Sequence, residues 1–261
     1  NPLPTINAGA DVTVCENENV TLTATNPDGA TLAWDNGITD TTPFISPVGT
    51  TTYTVTATLL SCVSTDDVDV IVNPLPTYTV TGTNPTTCGG TDGFVTISGL
   101  LNSTTYQISY NDGTALGPNT MTSDATGIIT ISGLNAGNYT AFLVDALTCT
   151  TLDNTVITLV DPPLPTINAG IDQTVCEPLA VTLTATNPDG ATLAWNNTVT
   201  DGIAFNPAVG TLTYTVTATL LNCVSTDDVN VTVNPLPTIN AGIDVTVCEN
   251  ENVTLTATNP D

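Results

Sequence analysis

Thr52-Tyr53-Thr54-Val55-Thr56-Ala57 alternates threonine with apolar residues, and this stretch decides the fold class. A period of two places the tyrosine, valine and alanine on one face of an extended strand and the threonines on the other. Residues 20–24 (Val-Thr-Leu-Thr-Ala) and residues 67–72 follow the same alternation. No stretch shows a sustained period of 3.6. We therefore predict an all-β chain of half-buried antiparallel strands, with essentially no helix.

The strand pattern recurs because most of the chain is duplicated. Residues 1–72 and 162–233 align without a gap at an offset of 161, with about three quarters of the positions identical, and a third copy begins at Asn234. Self-similarity of this kind indicates an array of tandem modules. We predict repeat A at 1–72, a distinct β-sandwich repeat at 73–161, a copy of repeat A at 162–233 and the truncated start of a further repeat A at 234–261.

Proline-rich segments separate the predicted modules. Asn73-Pro74-Leu75-Pro76 follows the first module, and Asp161-Pro162-Pro163-Leu164-Pro165 precedes the third. Prolines spaced in this way favour extended polyproline geometry and give short, semi-rigid joints. We expect modules on such joints to form an extended rod.

The charge balance excludes several classes of partner. The chain has 25 Asp and Glu residues and no Lys, Arg or His, for a net charge of −25. Nucleic acid binding depends on cationic side chains that neutralise phosphates, so we predict no nucleic acid partner. Anionic membrane surfaces are disfavoured for the same reason. No apolar run approaches the ~20 residues that a membrane span needs, so we predict no membrane insertion.

The same composition argues against catalysis. Without His, Lys or Arg the chain has no Ser-His-Asp or Cys-His arrangement and no cationic clamp for an oxyanion or a phosphate. A paired-carboxylate glycosidase is the one common mechanism left, and no pattern places two acids in one cleft. We predict that the protein is not an enzyme and has no cofactor, with Ca²⁺ as the one ligand worth considering.

Several motifs resemble a known group of modules. Pro-Thr-Ile-Asn-Ala-Gly, Val-Cys-Glu, Thr-Tyr-Thr-Val-Thr-Ala-Thr and Thr-Asp-Asp-Val occur in both full copies of repeat A. Together they resemble the Ig-like/PKD-like modules repeated in giant surface proteins of Bacteroidetes. Residues 88–93 (Cys-Gly-Gly-Thr-Asp-Gly) and 132–139 (Ser-Gly-Leu-Asn-Ala-Gly-Asn-Tyr) resemble the repeat type of gliding-motility adhesins from those bacteria. The resemblance implies tandem Ig-like β-sandwich domains, export by the type IX secretion route and display on the cell surface.

Cysteine usage predicts a disulfide framework in an oxidising compartment. Each full module has two cysteines, and the seven stand at Cys15, Cys62, Cys88, Cys149, Cys176, Cys223 and Cys248. Counting favours one bond within each module. Ig topology favours bonds between modules, because Cys15 and Cys62 would lie at opposite ends of a sandwich, beyond the ~7 Å that a disulfide spans. The pairs would then be Cys15–Cys149 and Cys88–Cys223, and the other three cysteines would need partners in flanking modules.

An acidic strand near the predicted joints offers oxygen ligands for Ca²⁺. The candidate residues, which would act with Asp11 or Asp172, are Asp66, Asp67, Asp69, Asp227 and Asp228. The alternative is a solvated acidic face, and the change of Asp69 to Asn230 in the second copy favours that alternative.

Aromatic residues are predicted to lie in the core. Trp34 and Trp195 are in phase with neighbouring leucines, as expected of the buried tryptophan on strand C of an Ig-type sandwich, rather than of a sugar-stacking platform. Tyr53 and Tyr214 fall on the apolar face of their strands.

The sequence thus predicts a structural stalk or filament segment of a secreted bacterial adhesin, used in attachment or gliding. Its partners would be neighbouring repeats of the same chain, and its location the extracellular face of the cell. The alternatives are a glycan- or Ca²⁺-binding module of a surface protein and a subunit of a self-assembling extracellular fibre. The chain has no initiator methionine and no signal peptide, so we expect it to be an internal stretch of a longer protein.

Overall fold

The fold is entirely β. The computed structural model describes residues 1–258, and in that range the chain forms strands, turns and loops without a helix. This confirms the prediction of an all-β chain. The chain divides into two compact units, Asn1–Pro85 with Gly90–Val160 and Thr86–Gly89 with Asp161–Asp261, which we call unit 1 and unit 2.

The first part of unit 1 has two facing sheets. Its strands are β1 (Val12–Cys15), β2 (Asn19–Val20), β3 (Thr31–Trp34), β4 (Phe44–Ile45), β5 (Gly49–Leu59) and β6 (Cys62–Asn73). One sheet has the order β1-β6-β5-β3, and β2 pairs with β4 in the other. β1 runs parallel to β6, whereas the other pairs are antiparallel. First and last strands paired in parallel beside a long hairpin give an Ig-like sandwich.

Alternation along β5 and β6 builds the core between these sheets. Tyr53, Val55 and Ala57 are buried from β5, and Val68 and Val70 are buried from β6. The intervening threonines and acids face solvent or the sheet margin. Burial of these apolar faces is the main stabilising term, at roughly 25 cal/mol per Å² removed from water.

The second part of unit 1 is another sandwich. Its strands are β7 (Thr79–Thr83), β8 (Gly93–Ser98), β9 (Thr105–Asn111), β10 (Ala115–Thr122), β11 (Ile128–Leu134), β12 (Gly137–Ala146), β13 (Cys149–Asp153) and β14 (Ile157–Leu159). One sheet has the order β10-β9-β12-β13 with β14 also on β12, and the other has the order β11-β8-β7. Their facing sides bury Ile97, Ile108, Phe142 and Val144 almost completely.

Unit 2 contains a sandwich of the same topology as residues 1–73. Its strands are β15 (Gln173–Cys176), β16 (Val181–Thr182), β17 (Thr192–Trp195), β18 (Ala204–Phe205), β19 (Gly210–Leu220) and β20 (Cys223–Asn234). The order is β15-β20-β19-β17, with β16 paired to β18. Among described residues after Asn234, the chain makes one isolated bridge, between Asn240 and Thr258.

One predicted strand is largely absent. Of residues 20–24, only Val20 is in a strand, so the strand predicted there was wrong beyond that residue. The backbone groups that would extend the ladder bind a loop instead. Ala24 N–H donates to the Asp40 carboxylate at 2.9 Å, and Leu22 C=O accepts from Thr41 N–H at 2.8 Å. Alternation alone does not show which partner a backbone group will take.

Within residues 1–258, no helix is long and apolar enough to cross a membrane.

Candidate functional site

Three cysteines occupy equivalent places at the start of a strand. Cys62, Cys149 and Cys223 each follow directly after a two-residue turn that closes a β-hairpin. Both central residues of each turn have positive φ, as in type I′ hairpins. We call these three residues the hairpin cysteines. Tight turns of this kind hold the next residue, and therefore its sulfur, in a fixed position.

The first disulfide lies in unit 1 and joins the two sandwiches. Cys15, the last residue of β1, bonds to Cys149 with the two Cα atoms 5.6 Å apart. Cys15 is in parallel register with Asn73, whose side-chain amide donates to Leu147 C=O at 3.3 Å. Both sulfurs lie 3.9 Å from backbone carbonyl oxygens, but an oxidised sulfur has no proton to donate, so these are packing contacts. The bond therefore spans the proline joint that follows Asn73.

The same joint is held by hydrogen bonds on both sides. Glu16 N–H donates to Asn73 C=O at 2.8 Å, and the Glu16 carboxylate accepts from Leu75 N–H at 3.2 Å. Beyond the prolines, the Tyr78 hydroxyl lies 2.7 Å from Phe142 C=O and 3.0 Å from Thr151 C=O. Burial raises the pKa of Tyr78 to about 12, with a further contribution from the negative charge of Asp153. The joint is thus fixed at the strand it leaves and at the sheet it enters.

The second disulfide lies within unit 2. Cys88, in the segment Thr86–Gly89, bonds to Cys223 with the Cα atoms 5.0 Å apart. Cys88 N–H donates to Leu221 C=O at 2.9 Å, and Gly89 N–H donates to the Asp161 carboxylate at 3.2 Å. Both sulfurs also contact Pro162 C=O. A proline joint again lies beside the bond.

Of the two pairings left open by the sequence, the structure has the one in which Cys15 meets Cys149 and Cys88 meets Cys223. Cys15 and Cys62 lie at opposite ends of the 12-residue strand β6, because Cys15 is in register with Asn73 and Cys62 begins the strand. At about 3.3 Å per residue they are tens of Å apart. Cys62, Cys176 and Cys248 are unpaired.

Each disulfide closes a very long loop. The bonded cysteines are 134 and 135 residues apart in sequence. In the chain-entropy model a loop of this length stabilises the folded state by about 5 kcal/mol. The two loops overlap, so their contributions are not independent.

The sequence carried a signal for the hairpin cysteines that the cysteine spacing did not reveal. Leu60-Ser61-Cys62, Leu147-Thr148-Cys149 and Leu221-Asn222-Cys223 share the pattern Leu-Xaa-Cys in both module types. The leucine in each is largely exposed and has positive φ, which is costly for a residue with a side chain. A shared pattern placed at such a cost marks a position that the fold needs.

The acidic residues predicted as Ca²⁺ ligands lie on different faces of their strands. Asp66 is half-buried and accepts from Ala8 N–H at 2.8 Å, and Asp227 accepts from Ala169 N–H at the same distance. Asp67 and Asp228 are exposed on the opposite face. Among described residues, no group of three or more His, Cys, Asp or Glu side chains could hold a metal ion. Calcium binding by these residues stays a prediction.

Asp69 also takes part in local hydrogen bonding. Its carboxylate accepts from the Thr52 hydroxyl at 2.6 Å, and its N–H donates to the Asp11 carboxylate at 3.0 Å. These contacts join β5, β6 and the approach to β1. They account for the position of the side chain without a metal.

The tryptophans predicted for the core lie there. Trp34 and Trp195 are each 8 % exposed, and Tyr53 and Tyr214 are each 3 % exposed, which leaves no aromatic face free to stack on a sugar. The indole N–H of Trp34 donates to the Asp40 carboxylate at 3.0 Å. Burial raises the pKa of Tyr214.

Comparisons with known proteins give structural likenesses only. No family model matches the chain, and no curated protein matches it by sequence. An I-band fragment of titin is 10% identical, with a TM-score of 0.44, over 90% of this chain and 99% of that chain. The N-terminal eight Ig domains of Down syndrome cell adhesion molecule are 14% identical, with a TM-score of 0.43, over 89% of this chain and 37% of that chain. An ectodomain fragment of ICAM-5 is 10% identical, with a TM-score of 0.38, over 92% of this chain and 79% of that chain.

Proposed function

We propose that the chain is a structural stalk segment that carries tension in an extracellular protein. The observation that carries this proposal is the disulfide between Cys15 and Cys149, which ties the first sandwich to the next across the proline joint. Disulfides persist in oxidising, extracellular compartments. A covalent bond across a joint prevents separation of neighbouring modules, which is what a segment under load requires.

Strand pairing in the Ig-like sandwiches supports the same proposal. Residues 12–15 of β1 pair in parallel with residues 70–73 of β6, and β15 pairs with β20 in the same way. The chain enters at the start of β1 and leaves at the end of β6. A pull on the two ends slides these parallel strands past each other, so their hydrogen bonds must break together and not one by one.

The acidic surface suits an extended array. With a net charge of −25 and no cationic side chain, neighbouring segments repel one another. High net charge of one sign favours solubility and opposes self-association. The repulsion would keep tandem copies from collapsing onto one another.

The finer proposal is that the segment belongs to a giant surface adhesin of the Bacteroidetes type, exported by the type IX route and used in attachment or gliding. The motif resemblance in both module types supports it. Antibodies against the purified chain should label intact cells of the bacterium that encodes it. Labelling only after the cells are permeabilised would contradict a surface location.

Single-molecule stretching tests the stalk proposal. The oxidised chain, held by its two ends, should resist force and then yield in discrete steps, one for each sandwich. Smooth extension at low force would overturn the proposal. Binding to a glycan array by the same purified chain, at an affinity that survives washing, would favour the recognition-module alternative instead.

A further inference from the structure

Two of the unpaired cysteines have disulfide-bonded counterparts in the other copy of repeat A. At the offset of 161, Cys62 corresponds to Cys223, which is bonded to Cys88. Cys176 corresponds to Cys15, which is bonded to Cys149. Each unpaired residue can therefore be compared with a bonded one in the same surroundings.

Cys62 is held as its bonded counterpart is. Its sulfur lies 3.6 Å from Asn1 C=O, and the Cys223 sulfur lies 3.4 Å from Pro162 C=O. Leu60 and Ser61 have φ of 47° and 73°, and Leu221 and Asn222 have φ of 50° and 62°. The hairpin therefore fixes the free thiol before any bond is made.

Cys176 is likewise held as Cys15 is. Cys176 is in parallel register with Asn234, as Cys15 is with Asn73. The next residue in each copy donates its N–H to that asparagine carbonyl, at 3.0 Å from Glu177 and 2.8 Å from Glu16. Cys176 is exposed to solvent.

Both disulfides follow one pairing rule. Each joins a hairpin cysteine to a non-hairpin cysteine that comes earlier in the chain. Cys62 is a hairpin cysteine without a partner, and Cys176 is a non-hairpin cysteine without a partner. The two are thus complementary halves of the same kind of bond.

We propose that Cys62 and Cys176 are docking sites for a second copy of this chain, in which Cys176 of one copy forms a disulfide with Cys62 of the next. The joined copies would repeat the linkage already present between Cys15 and Cys149. This inference depends on the pairing rule and goes beyond the load-bearing role, so its failure would leave the stalk proposal standing.

The bond needs an oxidant. The two thiols lose two protons and two electrons as the sulfur–sulfur bond forms, and a small-molecule disulfide such as oxidised glutathione accepts them and becomes two thiols. The exchange passes through a mixed disulfide on one of the two cysteines.

A mixing experiment with two variants tests the proposal. Cys248 is replaced by serine in every sample, so that Cys62 and Cys176 are the unpaired thiols. One protein then also has Cys62→Ser and the other Cys176→Ser, and each is incubated with oxidised glutathione, alone or mixed with the other. Circular dichroism checks that both remain folded, and Cys→Ala versions serve as a second set.

The expected product is a dimer in the mixture and monomer in each separate sample. We expect at least about tenfold more dimer in the mixture, because only opposite types of cysteine bring their Cα atoms within ~7 Å. An endoprotease that cuts at acidic residues should release a peptide pair that contains Cys62 and Cys176; trypsin has no site in this chain. The protein with both thiols intact should form longer oligomers.

Three results would overturn the proposal. Dimers formed equally well by each variant alone would show that the pairing is unselective. Thiols that stay open to alkylation after oxidation in the mixture would show that no docking occurs. A bond between Cys62 and Cys176 inside one monomer would show that the second copy is not the partner.

Discussion

Breaking both disulfides should lengthen the fully stretched chain far more than breaking either one, because the two bonds interleave. In sequence order the bonded residues are Cys15, Cys88, Cys149 and Cys223, with the first joined to the third and the second to the fourth. The longest distance to which the two ends can be pulled is set by the shortest covalent path between them.

That path is short in the oxidised protein. It runs 14 residues from Asn1 to Cys15, crosses to Cys149, returns 61 residues to Cys88, crosses to Cys223 and runs 38 residues to Asp261, about 113 in all. Without either bond it is the whole backbone, which is 147 residues longer. At 3.3–3.6 Å per residue, loss of both bonds releases about 500 Å.

Loss of a single bond releases little. Without the Cys15–Cys149 bond, the path runs through Cys88 and Cys223 and is about 125 residues long; without the Cys88–Cys223 bond it is about 126. Each single loss therefore adds only 12 or 13 residues, or about 40 Å. The combined effect exceeds the sum of the single effects about sixfold.

Single-molecule force spectroscopy, with handles at both ends, measures these lengths directly. The proteins compared are the parent, Cys15→Ser, Cys88→Ser and the double variant, all with the three unpaired cysteines replaced by serine to prevent exchange. Treatment of the parent with a reductant should reproduce the double variant. Additive releases of about 160–200 Å for each bond would refute the reasoning, since 47- or 61-residue loops within single modules would give those values.

Three further predictions concern stability. Thr41 has a φ of 63° where the second copy has Gly202, so Thr41→Gly should raise the unfolding free energy by roughly 0.5–1 kcal/mol and Gly202→Thr should lower it by about 1–2 kcal/mol, as measured by urea unfolding; opposite signs would contradict the strain argument. The pKa of Tyr78 is raised from 10.0 to about 12 in the folded state, so between these values the unfolded chain has lost a proton that the folded chain keeps, and stability should be constant below pH 10 and fall as the pH rises above it. Tyr78→Phe should reduce that fall, and absorbance of ionised tyrosine should show one group titrating near 12. Hydrogen bonds from Thr126, first from its hydroxyl, lower the pKa of Asp124, so the stability it contributes is present at neutral pH and lost as the pH falls through the carboxyl range; Asp124→Asn should unfold more readily at pH 7 and show a smaller change between pH 7 and pH 3.

Much of the sheet structure could be predicted from the sequence. The strand predicted at 52–57 lies inside β5, and the one predicted at 31–34 is β3. Alternation works here because each strand has one buried and one exposed face, so the periodicity of the residues reports directly on burial.

Other features could not be predicted because they depend on contacts distant in sequence. The strand β10 is exposed along most of its length, so its residues lack the alternation that marks a half-buried strand. The hairpin before Cys149 turns on Leu147 and Thr148, which are not the Asn-Gly residues that usually signal such a turn. Geometric reasoning about strand ends could name two pairs of cysteines, but only coordinates could choose between the alternatives.

Differences between the two copies separate the charge of the acidic residues from their hydrogen bonding. Asp35 becomes Asn196 in the second copy, and each side-chain oxygen accepts a backbone N–H at 3.0 Å. Asp69 becomes Asn230, and each accepts a threonine hydroxyl, at 2.6 and 2.7 Å. At these positions the fold uses an acceptor oxygen and does not need a negative charge. Since no cationic side chain is present to pair with the remaining carboxylates, their charge acts mainly on what lies outside the sandwich, by repelling like-charged copies and attracting cations from solution.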